Sequence, residues 1–358
     1  MKHKHTSLLI TLAFIAASAP VLAASDKTRN VVDSLESFRA VVDRMADTLQ
    51  PEKDITIQQG VIKNTASHLP RCVYFDNATH HAYMWLNNGN NGTRNIRLQL
   101  TYSDGTRILA GYKHPEIEQT LSEDELRALD ACKAIIRDAV HEDMTSLQKV
   151  LFLHDALAHH AMYDYEDTSN QSCTSMMAEG MGACGAYARS MRLLLGMLGI
   201  PQRIIQGSNK DGSPHCWGLV QLEDGEWYHL DVTKDDDNPN RYQYLCVTDQ
   251  EMSMDHNWEK EEYPDTPVTP ALTNARIPQF FSEEAFLQAA QIAYRSGAPA
   301  YCARLTCKET DASFTKTREA GAAKGRSMRI ARIMTTSSGP DRFVFLSFRN
   351  ASSSARAK

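Results

Sequence analysis

The chain has 358 residues, 42% of them hydrophobic and 23% charged, which is ordinary for a globular protein with room for two or three domains and a sizeable core. Such a composition excludes a disordered chain, a collagen-like repeat and a polytopic membrane protein. With 38 Lys and Arg against 44 Asp and Glu, the formal net charge of −6 offers no basic face, so no nucleic-acid partner is predicted.

At the start, Lys2 and Lys4 precede an apolar run from Leu8 to Leu22, and Val21-Leu22-Ala23 places small residues where a signal peptidase cuts. This predicts a signal peptide over residues 1–23, removed after Ala23. An uncleaved anchor fits less well, because the run is short and broken by Pro20. No later apolar run reaches membrane-spanning length. The expected protein is exported, periplasmic or secreted, without a membrane anchor. Losing Lys2 and Lys4 leaves 36 basic residues against 44 acidic ones, a net charge of −8.

From Asn30 to Tyr112, Val31, Leu35, Phe38, Val42, Met45 and Leu49 recur at helical spacing, with Asp33 and Glu36 placed as a capping box. Ile96, Leu98, Leu100 and Tyr102 alternate with polar residues, the period of a half-buried strand. Ser103-Asp104-Gly105 reads as a turn into a second strand, Arg107 to Tyr112. Asn87 to Asn91 is turn material.

The middle carries an apolar helix from Ser146 to Met162 and a second from Ala183 to Gly199. Three strands follow, Gln202 to Gly207, His215 to Leu222 and Glu226 to Val232, the last two joined at Asp224-Gly225. After Phe281 the order of the first stretch loosely returns. A helix carries Phe286, Ala290 and Ala293, a strand runs from Tyr301 to Cys307, and a weak helix covers Asp311 to Lys324. Two strands, Met328 to Met334 and Phe343 to Phe348, flank Ser338-Gly339-Pro340. The expected division is an N-terminal α/β unit (24–115), a core (116–265), a C-terminal α/β unit (266–350) and a disordered tail (351–358).

Eight cysteines, Cys72, Cys132, Cys173, Cys184, Cys216, Cys246, Cys302 and Cys307, are too few for a disulfide scaffold in a chain this long. No CxxC pair and no zinc-finger spacing occurs, so no metal and no cofactor is predicted. Cys302 and Cys307 either bridge locally or stay as free thiols. Three histidines, His154, His159 and His160, lack the spacing of a zinc peptidase, and His154 lies on an apolar stripe as a satisfied core residue. Asp235-Asp236-Asp237 reads as a solvated loop.

Cys184 stands apart because it opens a helix after Gly180-Met181-Gly182-Ala183. A thiol there feels the positive end of the helix dipole, which favours the thiolate, and the same amides suit an oxyanion. An isolated Cys is more often a small buried hydrophobe. His215 at a strand start and Asp231 at a strand end change that balance, since a nucleophilic thiol needs a base and the base an acceptor that fixes its tautomer. One difficulty stands. A tight Asp224-Gly225 hairpin pairs Gly218 with Asp231 and leaves His215 three residues out of register.

The segments Gly182-Ala183-Cys184-Gly185-Ala186-Tyr187-Ala188, His215-Cys216-Trp217 and Trp227-Tyr228-His229-Leu230-Asp231-Val232-Thr233 resemble the three motifs of the transglutaminase-like superfamily, with matching order and spacings of 31 and 16 residues. Tyr163-Asp164 and the stretch from Tyr244 to His256 resemble further segments of its secreted bacterial members. The likeness covers residues 145 to 260. It implies an α+β, papain-like core, a helix carrying the nucleophile packed on an antiparallel sheet, flanked here by two small α/β units. It implies Cys184 as nucleophile, His215 as general base and acid, and Asp231 as orienter. Cys216 departs from the usual Ala, and Ala186 from a Gly or acidic residue. Cys216 beside the base makes the site redox-sensitive. The expected activity is cysteine-dependent acyl transfer on a peptide, protein or cell-wall peptide, by hydrolysis rather than cross-linking. The alternatives are a protein-glutamine transglutaminase, an inactive binding protein, and a cell-wall amidase of another Cys-His type, whose third polar residue is usually His. The flanking units are expected to wall the cleft.

Overall fold

The computed structural model describes residues 31–58, 79–88, 92–236, 242–271, 277–307, 330–336 and 341–348, which form an α+β protein. Outside them lie the expected signal peptide, the helix expected over 311–324, the 338–340 turn and the tail.

Helix α1 (Leu35–Asp47) starts at Ser34, whose hydroxyl accepts from the Ser37 N–H while the Ser37 hydroxyl accepts from the Ser34 N–H. The box therefore sits one residue beyond the expected Asp33–Glu36 pair. Phe38, Val42 and Met45 bury their side chains against Ile55, Ile57, Ile96 and Leu98. These come from a sheet of β1 (Val31–Val32), β2 (Glu52–Gln58), β3 (Thr79–Asn88) and β4 (Thr93–Tyr102), in order β1-β2-β4-β3.

The strand expected over 107–112 is instead helix α2 (Asp104–Lys113). Ser103 acts as an N-cap, accepting from the Thr106 N–H at 3.3 Å, and Asp104 adds negative charge to the first turn. The same three residues that signal a hairpin also signal a helix start, and burial of Ile108 in the central core decides between them.

The centre contains α3 (Glu123–Ala139), α4 (Ser146–His160), β5 (Met162–Tyr163), α5 (Cys173–Glu179), β6 (Met181–Gly182) and α6 (Cys184–Met197). It continues with β7 (Gln202–Asn209), β8 (Pro214–Gln221), β9 (Trp227–Leu230), α7 (Val232–Asp236), β10 (Leu245–Val247), α8 (Asp249–Met252) and β11 (His256–Asn257). Five strands make one antiparallel sheet, β10-β9-β8-β7-β11. Alternation along the strands gives it two apolar faces. Val220, Tyr228 and Leu230 pack with Tyr187, Met191, Leu194 and Leu195 of α6. Ile205, Trp217 and Leu219 pack on the other side with Tyr244, Val247 and Met252.

Last come β12 (Gln279–Phe280), α9 (Glu283–Arg295), β13 (Ala300–Thr306), β14 (Ile330–Thr335) and β15 (Asp341–Phe348), in order β12-β13-β15-β14. This repeats the first unit: a short strand, a helix, then three strands, with the first two parallel and the rest antiparallel. Val344 and Leu346 face the unit's own core with Phe286 and Leu305, whereas Phe343 and Phe345 join the central cluster. Among the described residues no helix is long and apolar enough to cross a membrane.

Candidate active site

Cys184 is the first residue of α6 and is half-buried. Its N-cap, Ala183, has no side chain that can accept a hydrogen bond. Gln171 supplies one from the preceding loop: its Oε1 accepts from the Gly185 N–H at 2.6 Å, and Arg189 Nη1 donates to the Gln171 carbonyl at 2.5 Å. Position 185 must be glycine for this, since a Cβ there would lie 2.0 Å from that oxygen.

His215 and Asp231 are both buried, with His215 Nε2 2.6 Å from Asp231 Oδ2. The register difficulty is resolved by a longer turn. The observed pairs are Gln221 with Trp227 and Gly218 with Leu230, one residue away from the tight-hairpin expectation. Continued by one pair, this register sets Asp231 opposite Trp217. His215 is then two residues away and on the same face, a diagonal neighbour. The strand expected to reach Val232 ends at Leu230, where Asp231 still donates its N–H to the Tyr244 carbonyl before α7 begins.

With Nε2 engaged by Asp231, Nδ1 is the imidazole nitrogen left for the Cys184 sulfur, with which His215 interacts electrostatically. Burial lowers the pKa of His215, but the Asp231 carboxylate and the Cys184 sulfur override it and raise it to about 9. Cys184 is drawn down to about 4, first by the thiol of Cys216, whose sulfur is 3.8 Å away, and then by His215, against the opposing effect of burial. Burial raises the Asp231 carboxyl, yet His215 and then His256 bring it well below the ordinary carboxylate range. The arrangement holds a thiolate beside an imidazolium at neutral pH, the form that attacks a carbonyl and then protonates a leaving amine.

A ring of side chains holds the imidazole. Trp217 stacks on His215 with centroids 5.8 Å apart and planes at 22°. Its indole N–H donates to His229 Nδ1 at 2.9 Å, and His229 Nε2 faces Asp249 at 2.7 Å, so the indole cannot rotate freely. His256 is buried between two carboxylates, with Nε2 3.3 Å from Asp231 Oδ2 and Nδ1 2.5 Å from Asp255 Oδ1, and Asp255 accepts the Tyr244 hydroxyl. Sequence reasoning assigned no role to Gln171, His229 or His256. The resemblance marked only that the stretch from Tyr244 to His256 is similar to a segment of the secreted bacterial members. His215, Asp231 and His256 place three ligand-type atoms within 4.8 Å of one another. A cation there would have to compete with His215 for the oxygen that already holds it.

Elsewhere, His154 is a core residue, its Nε2 3.0 Å from Asp235 Oδ2. The expectation of a solvated acidic loop fails at Asp235, which is fully buried in α7. Burial lifts its carboxyl to about 6, partly offset by His154. Tyr187 donates to Asp236 Oδ2 at 2.6 Å, tying α6 to α7. Cys302 and Cys307 are both free thiols, as are the other cysteines among the described residues.

Residues 133–232 match the sequence model of the transglutaminase-like superfamily. No curated protein matches the chain. Among solved structures it is similar to a TGase at 15% identity, over 57% of this chain and 58% of that one, with a TM-score of 0.28. A candidate cysteine protease from Cytophaga hutchinsonii aligns at 18% identity, over 52% and 65%, with a TM-score of 0.27. The periplasmic domain of TgpA from Pseudomonas aeruginosa, bound to ethylmercury, aligns at 16% identity, over 41% and 58%, with a TM-score of 0.26. The chain thus spans less than two thirds of the length of each. Cys184, His215 and Asp231 all lie inside a segment, 133–232, that carries the signature of the transglutaminase-like superfamily.

Proposed function

We propose that this is an exported cysteine hydrolase that cleaves amide bonds in peptides, proteins or cell-wall peptides through a thioester on Cys184. The observation that carries the reading is the convergence of a helix-start thiol, whose pKa is drawn down, on an imidazole held by a buried carboxylate at 2.6 Å. In this reading the Cys184 thiolate attacks the carbonyl and the backbone N–H of Cys184 itself, at the positive end of α6, stabilises the oxyanion, the Gly185 N–H being held by Gln171. His215 then gives its proton to the leaving amine and takes one from the water that resolves the acyl-enzyme, while Asp231 keeps the imidazole oriented.

Hydrolysis is favoured over cross-linking by the wall beside His215. The loop from Lys210 to Ser213 is exposed and polar, closed on itself by Asn209 and Ser213 backbone bonding, and it leaves water free to reach the thioester. On the other flank, β5 and β6 pair Met162 with Met181, both exposed, beside exposed Tyr165, a surface suited to an extended chain with apolar side chains. Export rests on the N-terminal segment of the sequence alone.

Incubation with glutamine-donor and lysine-donor peptides, followed by mass spectrometry, tests the assignment. Cleaved or deamidated products are expected. Isopeptide-linked products as the dominant species would make the protein a cross-linker, and no turnover with an alkylatable Cys184 would make it a binding protein.

A further inference from the structure

The face of β8 that carries Cys216 is the one packed against α6, since Gly218 and Val220 follow it at the same parity and Val220 lies in the α6 cluster. A cysteine where the superfamily resemblance leads one to expect alanine therefore projects at the start of the nucleophile helix. Its sulfur lies 3.8 Å from that of Cys184, and both residues are half-buried, within reach of a small solute. Of the two, Cys216 donates to the Cys184 sulfur and Cys184 is the one that interacts with His215, so Cys184 carries the negative charge and Cys216 keeps its proton.

We propose that Cys184 and Cys216 form a modification site for hydroperoxides, closing a reversible disulfide that protects the nucleophile and switches it off. The inference rests on the reading of Cys184 as a reactive thiolate. In the first step the thiolate attacks the peroxide, a sulfur–oxygen bond forms as the oxygen–oxygen bond breaks, and the departing alkoxide or hydroxide takes the proton of His215. Cys184 is now a sulfenic acid, oxidised by two electrons. In the second step the Cys216 sulfur attacks the sulfenic sulfur. The sulfur–sulfur bond forms, and hydroxide leaves with the proton of Cys216 as water. Two thiols and one hydroperoxide give one disulfide, one alcohol (water for hydrogen peroxide) and one water. The sulfurs need to approach from 3.8 Å to about 2.05 Å. A dithiol reverses the bond by exchange.

The test uses the full chain, reduced, freed of reductant and treated with a few equivalents of hydrogen peroxide. Non-reducing tryptic mapping reads the bond directly, because Cys184 falls in peptide 150–189 and Cys216 in peptide 211–234. The expected species joins those two peptides with the loss of two hydrogens, and fragmentation places the link on Cys184 rather than Cys173. Iodoacetamide labelling of Cys184 should fall by about tenfold or more and return with dithiothreitol. In Cys216→Ser the same treatment should carry Cys184 on to sulfinic acid, which dithiothreitol does not restore. Wild-type protein that accumulates sulfinic acid at Cys184 with no joined peptide, or that links either cysteine elsewhere, overturns the proposal. A Cys184 that alkylates normally but ignores peroxide overturns it while leaving the hydrolase reading intact. A Cys184 inert to both reagents removes the thiolate on which both readings stand.

Discussion

In the proposed reaction the contact between His215 and Asp231 concentrates the chemistry in one hydrogen bond of 2.6 Å. Asp231→Asn retains the shape but lets the imidazole take the wrong tautomer, so kcat should fall by about four orders of magnitude, as in serine triads. Near-normal turnover would mean that another group orients His215. The titration of the pair predicts a broad bell for kcat/KM. Below about 4 Cys184 gains a proton and stops being a nucleophile. Above about 9 His215 loses the proton that the leaving amine requires. Activity should therefore be level across neutral pH, and a limb near 6.5, the value of an isolated imidazole, would refute the ion pair. His256 acts through Asp231 rather than on substrate. His256→Gln should lower kcat by roughly tenfold, the worth of one charge-assisted contact, with KM little changed. It should also shift the alkaline limb, which a purely structural effect would not do.

At the scale of elements, α6 depends on a cap from outside its own sequence. Gln171→Ala should remove about 0.5–2 kcal/mol of stability, read by denaturant unfolding, and retaining full stability would show that the Gly185 N–H finds another acceptor. The helices around the site were legible because apolar residues recur at 3.6-residue spacing over long stretches, as in α4 and α6. The sheet register was not. Asp224-Gly225 invites a two-residue turn, but Leu222 donates its N–H to the Glu226 carbonyl and the strands pair only from Gln221 and Trp227. That single step decides whether His215 and Asp231 share a face, and nothing local in the sequence encodes it. Helix α2 was missed for a related reason: Ser-Asp-Gly serves equally as turn and cap, and a distant partner, the central core around Ile108, selects the helix. Gln171, His229 and His256 were invisible because contacts that define their roles, to Gly185, Asp249 and Asp231, span 14, 20 and 25 residues along the chain.

At the scale of the whole molecule, the two flanking units share a topology but differ in their bond to the centre. The first closes its own core around Phe38 and Leu98. The last sends Phe343 and Phe345 into the cluster that holds α4 and α6, with the Phe345 ring 6.4 Å from Phe152. Tyr242, hydrogen-bonded to Thr336 at 3.0 Å, adds a polar tie. A chain ending at residue 280 should therefore lose far more than a cleft wall. Removing two buried phenylalanines from a core costs about 3–5 kcal/mol each, enough to unfold an ordinary domain. Loss of the cooperative unfolding transition is the expected result, and a stable, thiol-reactive truncated chain would show that the centre is self-sufficient.

The position of β15 has a further consequence, in time rather than in space. A polypeptide emerges from its N-terminus, so α6 and its cysteine exist as chain long before Phe343 and Phe345 arrive to complete the core beneath them. Until then the helix that carries Cys184, and with it the contacts to Cys216 and His215 that lower the thiol's pKa, has no finished surface to rest on. A chain that stops short of β15 is therefore expected to carry an ordinary, unreactive thiol at Cys184, which alkylation of a chain lacking residues 341–348 would read. A piece of the core placed at residues 341–348 would in this way tie the thiol's reactivity to the near-completion of the fold.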